Sequence, residues 1–175
     1  MGYKTSLTVV DGGALVRIPR VLAIGAGVSG FARAERAAVR RALEDGMDVL
    51  VLSALDEETA EQAFASLSDR VTVRSDYAEQ FLNSGLSRRA VRADELAGFV
   101  HERNMTLGNT AVIASEPVDR DMLMAAGVAY ALETAGYDSI VAADRVGPPR
   151  DAGGLVQAID ALLRLRSTIR QRGRG

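Results

Sequence analysis

Short, almost wholly apolar runs alternate with amphipathic segments along this chain, and that alternation most constrains its fold. The run MDVLVLS at 47–53 is apolar on both faces of an extended strand, and NTAVIAS at 109–115 has the same character. Strands of this kind are typical of a parallel sheet that helices cover on both sides. The periodic segments between the runs predict helices over 32–45, 93–104 and 153–168.

The alternation predicts an α/β fold, a Rossmann-like three-layer sandwich with a mostly parallel sheet. We expect strands at 6–10, 48–53 and 110–115 to lie in that sheet. The segments ALVRI and RVLAIGAGV flank Pro19, and they predict a β-hairpin flap over 14–30. No linker or repeat interrupts the pattern. The sequence therefore predicts one α/β domain over 1–163 and a basic C-terminal tail over 164–175.

The composition narrows the chemistry that the chain can perform. Its 175 residues include no cysteine and one histidine, which excludes thiolate and histidine-rich metal sites. A net charge of −2 provides no general attraction for nucleic acid or for anionic membranes. No apolar run reaches the roughly 18–20 residues of a membrane span, and no signal-peptide pattern opens the chain. We therefore expect a cytoplasmic location, without a membrane or nucleic-acid partner.

The stretch VLAIGAGVSG at 21–30 spells G-x-G-x-x-G through Gly25, Gly27 and Gly30. In dinucleotide-binding enzymes this pattern joins a strand to a helix that holds a pyrophosphate, and an acid about 20 residues later binds the ribose. Here the next strand ends at Ser53, which stands where that acid is expected. The hypothesis of an FAD- or NAD-binding site stays open beside the favoured one, a glycine-rich hairpin edge.

Motifs spread over nearly the whole chain resemble those of haloacid dehalogenase (HAD) superfamily phosphatases. LTVVDGGAL stands where that family has an apolar strand running into D-x-D-G-T, and DVLVLSA resembles the strand ending in Thr or Ser. RADELAGFVHERN resembles the helix that the third-motif lysine opens. VIASEPVDRDMLMAAGVAYAL resembles the fourth motif, G-D-x-x-N-D-x-x-M-L, and AADRVGPPRDAGGLVQAIDALL resembles the family's ending.

The resemblance implies a role for each matching side chain. Asp11 corresponds to the nucleophile that takes the phosphoryl group. Ser53 and Arg92 correspond to the residues that hold the phosphate, although arginine is not equivalent to the family's lysine. Asp11 and Asp119 correspond to ligands of Mg²⁺.

Several carboxylates of the family pattern are missing from this chain. Gly13 replaces the second acid of the first motif, or Val9 replaces the nucleophile if DGG is matched to D-G-T instead. Ser115 occupies an Asp position of the fourth motif, and Val118 occupies its Asn position. We therefore expect Mg²⁺ binding to be weak or absent.

The retained apolar pattern and the lost carboxylates together predict a degenerate, catalytically impaired HAD-like protein with a binding, scaffolding or regulatory role. One alternative is a residually active Mg²⁺-dependent phosphohydrolase that uses Asp11, and the other is the FAD or NAD binder. The short spacings between motifs imply a capless member of the family. A flap at 14–30 would expose apolar side chains, so we expect a homo-oligomer formed through it. A phosphorylated small molecule is a candidate ligand.

Overall fold

The computed structural model describes residues 8–11, 14–27, 29–64, 67, 69–78 and 85–174. Its strands are β1 (Thr8–Asp11), β2 (Ala14–Arg17), β3 (Val21–Gly27), β4 (Asp48–Ser53), β5 (Val71–Ser75), β6 (Thr110–Ala114), β7 (Val128–Leu132) and β8 (Arg145–Gly147). Its helices are α1 (Arg33–Glu44), α2 (Glu57–Phe64), α3 (Gly85–His101), α4 (Arg120–Ala125), α5 (Tyr137–Ala142) and α6 (Gly154–Arg172).

Six strands form one parallel sheet in the order β5-β4-β3-β6-β7-β8. Helices pack on both faces, so the predicted α/β Rossmann-like fold is confirmed. The expected strands at 48–53 and 110–115 are β4 and β6, and the expected helices correspond to α1, α3 and α6. None of the described helices is both long and apolar enough to cross a membrane.

The central strand β3 shows why its sequence belongs inside the sheet. Leu22 and Ile24 pack into the core on the face that α1 and α6 cover. Val21 and Ala23 pack into the core on the face that α3 and α4 cover. Successive side chains of a strand point to opposite faces. A strand with helices on both faces must therefore be apolar at every position.

The prediction of a hairpin flap over 14–30 is wrong. Only β2 belongs to a hairpin, and it pairs antiparallel with β1 in a separate two-stranded sheet. The expectation that 6–10 lies in the parallel sheet is also wrong, because β1 belongs to this two-stranded sheet. Residues 6 and 7 lie outside the described part of the chain. A short apolar run fits a buried parallel strand as well as a hairpin, so periodicity cannot separate the two.

The burial of β3 also removes the reason for expecting an interface at the flap. All seven residues of the strand are buried inside the sheet, so they form no exposed apolar patch. Self-association therefore stays a prediction without a surface assigned to it, and so does the cytoplasmic location.

The predicted basic tail over 164–175 is also wrong, because α6 continues as one helix to Arg172 and crosses the predicted domain end at 163. Arg166 is only 3% exposed, and Ile169 is buried beside it. Arg166 Nε donates to Asp45 Oδ2 at 2.7 Å, and its Nη1 donates to the Pro19 carbonyl. Arg170 Nη1 donates to Asp45 Oδ1 at 2.9 Å. Arg166 and Arg170 therefore bind the end of α1, and Arg166 also binds the segment before β3.

We expect Arg166→Gln to lower the free energy of unfolding at pH 7 by about 2 kcal/mol, because it removes charge-assisted hydrogen bonds to partly buried acceptors. Burial opposes ionisation of Asp45, but hydrogen bonds from Arg170 and Arg166 outweigh it and lower the pKa of that carboxyl below the ordinary value of an aspartate. The stabilising contribution is therefore present above that value and is lost as the pH falls through the lowered pKa.

Urea unfolding of the wild type and the variant at pH 7 and at pH 3 tests this expectation. The difference between the two proteins should shrink at pH 3. Arg174→Gln is the matched control, because Arg174 is exposed beyond the end of α6. Equal stability of Arg166→Gln and Arg174→Gln at pH 7 would contradict the role assigned to Arg166.

Candidate functional site

The carboxyl ends of β3, β4 and β6 meet at one edge of the sheet, where α/β folds bind their ligands. Gly27 at the end of β3 pairs with Ser53 at the end of β4. Ser53 Oγ donates to the Gly27 carbonyl at 3.2 Å. On the other side of β3, Ser115 follows β6 and its hydroxyl donates to the Gly25 carbonyl. The two serine side chains thus tie both neighbouring strands to the backbone of β3.

Arg92 and Asp119, two of the predicted site residues, lie together at this edge. Asp119 ends the short 3₁₀ turn Pro117–Asp119 that follows β6. Arg92 projects from α3, and its Nη1 donates to Asp119 Oδ1. Both side chains are fully buried. These two site residues are therefore in direct contact, although 27 positions separate them in the sequence.

Asp11 does not end a strand of this sheet. It ends β1, where it pairs with Ala14 in the separate hairpin. The strand that lies between those ending near Ser53 and Ser115 is β3, with its apolar run VLAI at 21–24. The catalytic and metal-binding roles of Asp11 have no support from this topology and stay predictions.

Gly25 and Gly27 lie at the carboxyl end of the apolar strand β3, whereas the resemblance places the D-x-D motif at LTVVDGG. They have the one-residue spacing of that motif and follow an apolar strand, as the motif does. An alignment of D-x-D with Gly25 and Gly27 is possible from the sequence alone. The same residues also fit the G-x-G-x-x-G pattern, which drew the interpretation away from that alignment. In that alignment, neither of the two first-motif positions carries a side chain.

Carboxylates from the segment after β6 fill the space that the two glycines leave. A Cβ atom on Gly25 would overlap the Asp119 carboxylate. A Cβ atom on Gly27, which has a φ of +61°, would lie 2.8 Å from Glu116 Oε1. The acids at 116 and 119 therefore occupy positions close to those that side chains at 25 and 27 would take.

A buried network of hydrogen bonds and ion pairs holds Asp119 in place. Its Oδ2 accepts the backbone N–H groups of Ser115 at 2.9 Å and Glu116 at 3.0 Å. Arg92 Nε donates to Asp76 Oδ2 at 2.9 Å, so the guanidinium bridges two carboxylates. Burial disfavours the charged form of Arg92, but Asp119 and Asp76 outweigh it and raise the pKa of the guanidinium. Arg92 is therefore a permanent cation inside this site.

A cavity of about 660 Å³ opens at the same edge, beside Gly27, Ser115 and Glu116. Burial raises the pKa of the half-buried Glu116 carboxyl, with Arg92 opposing the shift. Its Oε1 is enclosed and accepts no hydrogen bond from the residues that the structure describes. Glu116 was not among the predicted site residues, and its position in the cavity depends on the turn that follows β6.

Arg150 fixes the loop that forms one wall of this cavity. Its Nη1 donates to the Ala26 carbonyl and its Nη2 to the Gly30 carbonyl, both at 2.9 Å. The guanidinium also forms a bidentate pair with Glu35, at 2.9 and 2.7 Å. Glu35 in turn accepts the Ala32 N–H at 2.9 Å. The loop after β3 is thus held by a single arginine from the segment before α6.

No protein-family model matches the chain, and no curated protein sequence matches it. Among solved structures, 3-deoxy-D-manno-octulosonate 8-phosphate phosphatase from Moraxella catarrhalis, in complex with magnesium, phosphate and KDO, superposes with a TM-score of 0.69 at 9% identity, covering 89% of this chain and 91% of that one. The cobalt-bound deoxy-D-mannose-octulosonate 8-phosphate phosphatase from Haemophilus influenzae has a TM-score of 0.65 at 15% identity, covering 86% and 90%.

A haloacid dehalogenase-like hydrolase from Bacteroides thetaiotaomicron has a TM-score of 0.59 at 11% identity, covering 82% of this chain and 99% of that chain. The chain has the fold of HAD-superfamily phosphatases. At these identities the likeness concerns the fold alone, so the chemistry of this HAD-fold protein has to be judged from its own residues.

The carboxylates at the sheet edge do not fit a Mg²⁺ ion. Mg²⁺ demands near-octahedral oxygen coordination and is bound through carboxylates. Gly25 and Gly27 supply none, and Asp119 already binds Arg92 and two backbone amides. Within the described ranges, no group of three His, Cys, Asp or Glu residues is placed to hold a metal. The cation that neutralises the acids here is the Arg92 guanidinium, and weak or absent Mg²⁺ binding stays a prediction.

The substitution Gly25→Ala tests the packing of the Asp119 carboxylate against β3. The added methyl group would overlap a side chain that Arg92 and two amides hold in place, so we expect the free energy of unfolding to fall by about 2–3 kcal/mol. Gly98→Ala in α3 is the matched control, because nothing lies within 4 Å of its Cβ position. An alanine there should stabilise the helix by about 0.5–1 kcal/mol.

Chemical denaturation of both variants measures the two changes. The assigned packing is wrong if Gly25→Ala unfolds at the same denaturant concentration as the wild type.

Proposed function

We propose that this HAD-fold protein binds a ligand at the carboxyl edge of its sheet and does not catalyse phosphoryl transfer. One observation carries the proposal: the central strand ends in glycines at positions 25 and 27, and the buried Arg92–Asp119 pair lies against Gly25. A phosphatase of this fold needs a carboxylate nucleophile there and a second carboxylate as proton donor. Neither glycine can act in either role.

The charge of the cavity also argues against hydrolysis of a phosphate ester. Three acids line it, Glu35, Glu116 and Asp151, against the single base Arg150. The Arg150 guanidinium is already bound to Glu35 and to backbone carbonyls of the loop. The negative charge of a phosphate would therefore meet carboxylates and few free donors from the lining residues. The lining favours a ligand that donates hydrogen bonds.

Retention of a rigid cavity supports a binding role. Arg150 and Glu35, both largely buried, hold the loop between Ala26 and Gly30 without a substrate. A preformed cavity reduces the conformational entropy that binding has to overcome. The loop after β3 is therefore an ordered wall of the cavity at the carboxyl edge of the sheet, although the reactive side chains are missing there.

Hydrolysis of a generic aryl phosphate in the presence of Mg²⁺ or Co²⁺ tests this proposal. We expect turnover no faster than the background without enzyme, and no saturable heat of Mg²⁺ binding in calorimetry. An active HAD phosphatase should be assayed in parallel as the positive control. If Asp11→Asn abolishes a metal-dependent turnover, the protein is instead the residually active phosphohydrolase. If only Asp119→Asn abolishes the turnover, the nucleophile is Asp119.

The dinucleotide hypothesis is not favoured by the start of α1. A pyrophosphate needs free N–H groups at that helix end, and here the Glu35 carboxylate binds the Ala32 N–H. We expect NAD, NADP and FAD to leave the thermal midpoint of unfolding unchanged, because a ligand that does not bind adds no stability. A saturable rise in the midpoint with any of the three would reinstate dinucleotide binding at Gly25, Gly27 and Gly30.

A further inference from the structure

A second groove, separate from the cavity at the carboxyl edge, lies between the β7–β8 end of the sheet and helix α6. Its volume is about 280 Å³, and it shares no lining residue with the larger cavity. Small-molecule sites usually measure roughly 300–1,000 Å³; this groove lies just below that range and therefore has room only for a ligand smaller than most. Its floor contains Tyr130 and Leu132, which are 4% and 1% exposed.

Two arginines flank this groove with no partner for their charge. Arg145 lies on β8 and Arg164 on α6, and both side chains line the groove. In the described part of the chain, neither guanidinium forms an ion pair or a hydrogen bond. Other arginines of the α6 region, Arg150 and Arg166 among them, are bound to carboxylates and carbonyls. The groove is therefore flanked by cationic groups that the fold itself does not use.

The acids near the groove are already engaged. Asp160 lines it, but its Oδ1 accepts Arg41 Nη2 at 2.7 Å. Asp144 precedes Arg145, and its Oδ2 accepts the Ala129 N–H at 2.8 Å. Their charges reduce the local positive potential without binding either free guanidinium directly.

Tyr130 lines the groove together with Arg145 and Arg164. Burial raises the pKa of its hydroxyl; Asp144 adds to that shift, and the positive charges of Arg145 and Arg164 act against it. An anion between them could also accept the hydrogen bond that a tyrosine hydroxyl donates.

We propose that this groove binds a small organic oxyanion, a carboxylate or a phosphate monoester that carries an apolar group. The Arg145 and Arg164 guanidiniums bind the oxyanion, because arginine presents N–H donors in a fork that matches carboxylate and phosphate oxygens. The apolar group packs on the floor that Tyr130 and Leu132 form. This site is independent of the function proposed for the carboxyl edge.

Isothermal titration with phenyl phosphate and with benzoate tests the proposal and identifies the preferred oxyanion. We expect at least one of them to bind, and Arg145→Gln or Arg164→Gln to weaken its affinity by about tenfold each, as expected for a charge-assisted hydrogen bond. Arg89→Gln in α3 is the control for the loss of one charge, because α3 packs on the opposite face of the sheet. That variant should bind like the wild type.

Further titrations test the charged part and the apolar part of the site separately. Inorganic phosphate, which lacks the apolar group, should bind more weakly than phenyl phosphate. Benzyl alcohol, which lacks the charge, should not bind. Circular dichroism checks that every variant is folded. The proposal is overturned if neither probe binds, or if binding persists in the Arg145→Gln/Arg164→Gln double variant. Binding here does not require hydrolysis, so this result is independent of the phosphatase assay.

Discussion

The buried contact between Arg92 and Asp119 is the interaction on which the functional edge of this protein depends. An unpaired charge in a protein interior is strongly unfavourable, so each member of the pair requires the other. Asp119 also accepts two backbone amides, and Arg92 also binds Asp76. The two charges are therefore embedded in a network of hydrogen bonds that compensates for much of their lost hydration.

The glycines of the central strand and this ion pair require each other. The Asp119 carboxylate occupies space that a side chain at position 25 would need, so β3 can only be glycine there. Conversely, no residue of β3 supplies the negative charge, so it comes from the segment after β6. The carboxyl edge of the sheet is therefore a self-neutralised structural centre with a cavity beside it.

Arginine performs the same structural task at three places in this fold. Arg92 bridges two carboxylates at the sheet edge, Arg150 holds the loop after β3, and Arg166 binds the end of α1. Each guanidinium satisfies acceptors from segments distant in sequence, which its several rigid donors allow. Arg145 and Arg164 differ, because neither guanidinium forms an ion pair or a hydrogen bond with the residues that the structure describes.

The sequence by itself determined the fold class and most of its elements. Runs that are apolar on both faces, such as 47–53, predict strands of a covered sheet, and β4, β6 and α1 lie where the pattern predicts them. Only the tertiary structure decided that 21–27 is the central strand, because an apolar run contains no information about its neighbours. That placement puts Gly25 and Gly27 at the carboxyl edge of the sheet and leaves Asp11 in the separate hairpin. The buried arginines could not be predicted either, since a guanidinium in a sequence is equally compatible with water, and only the fold places carbonyl and carboxylate acceptors around it.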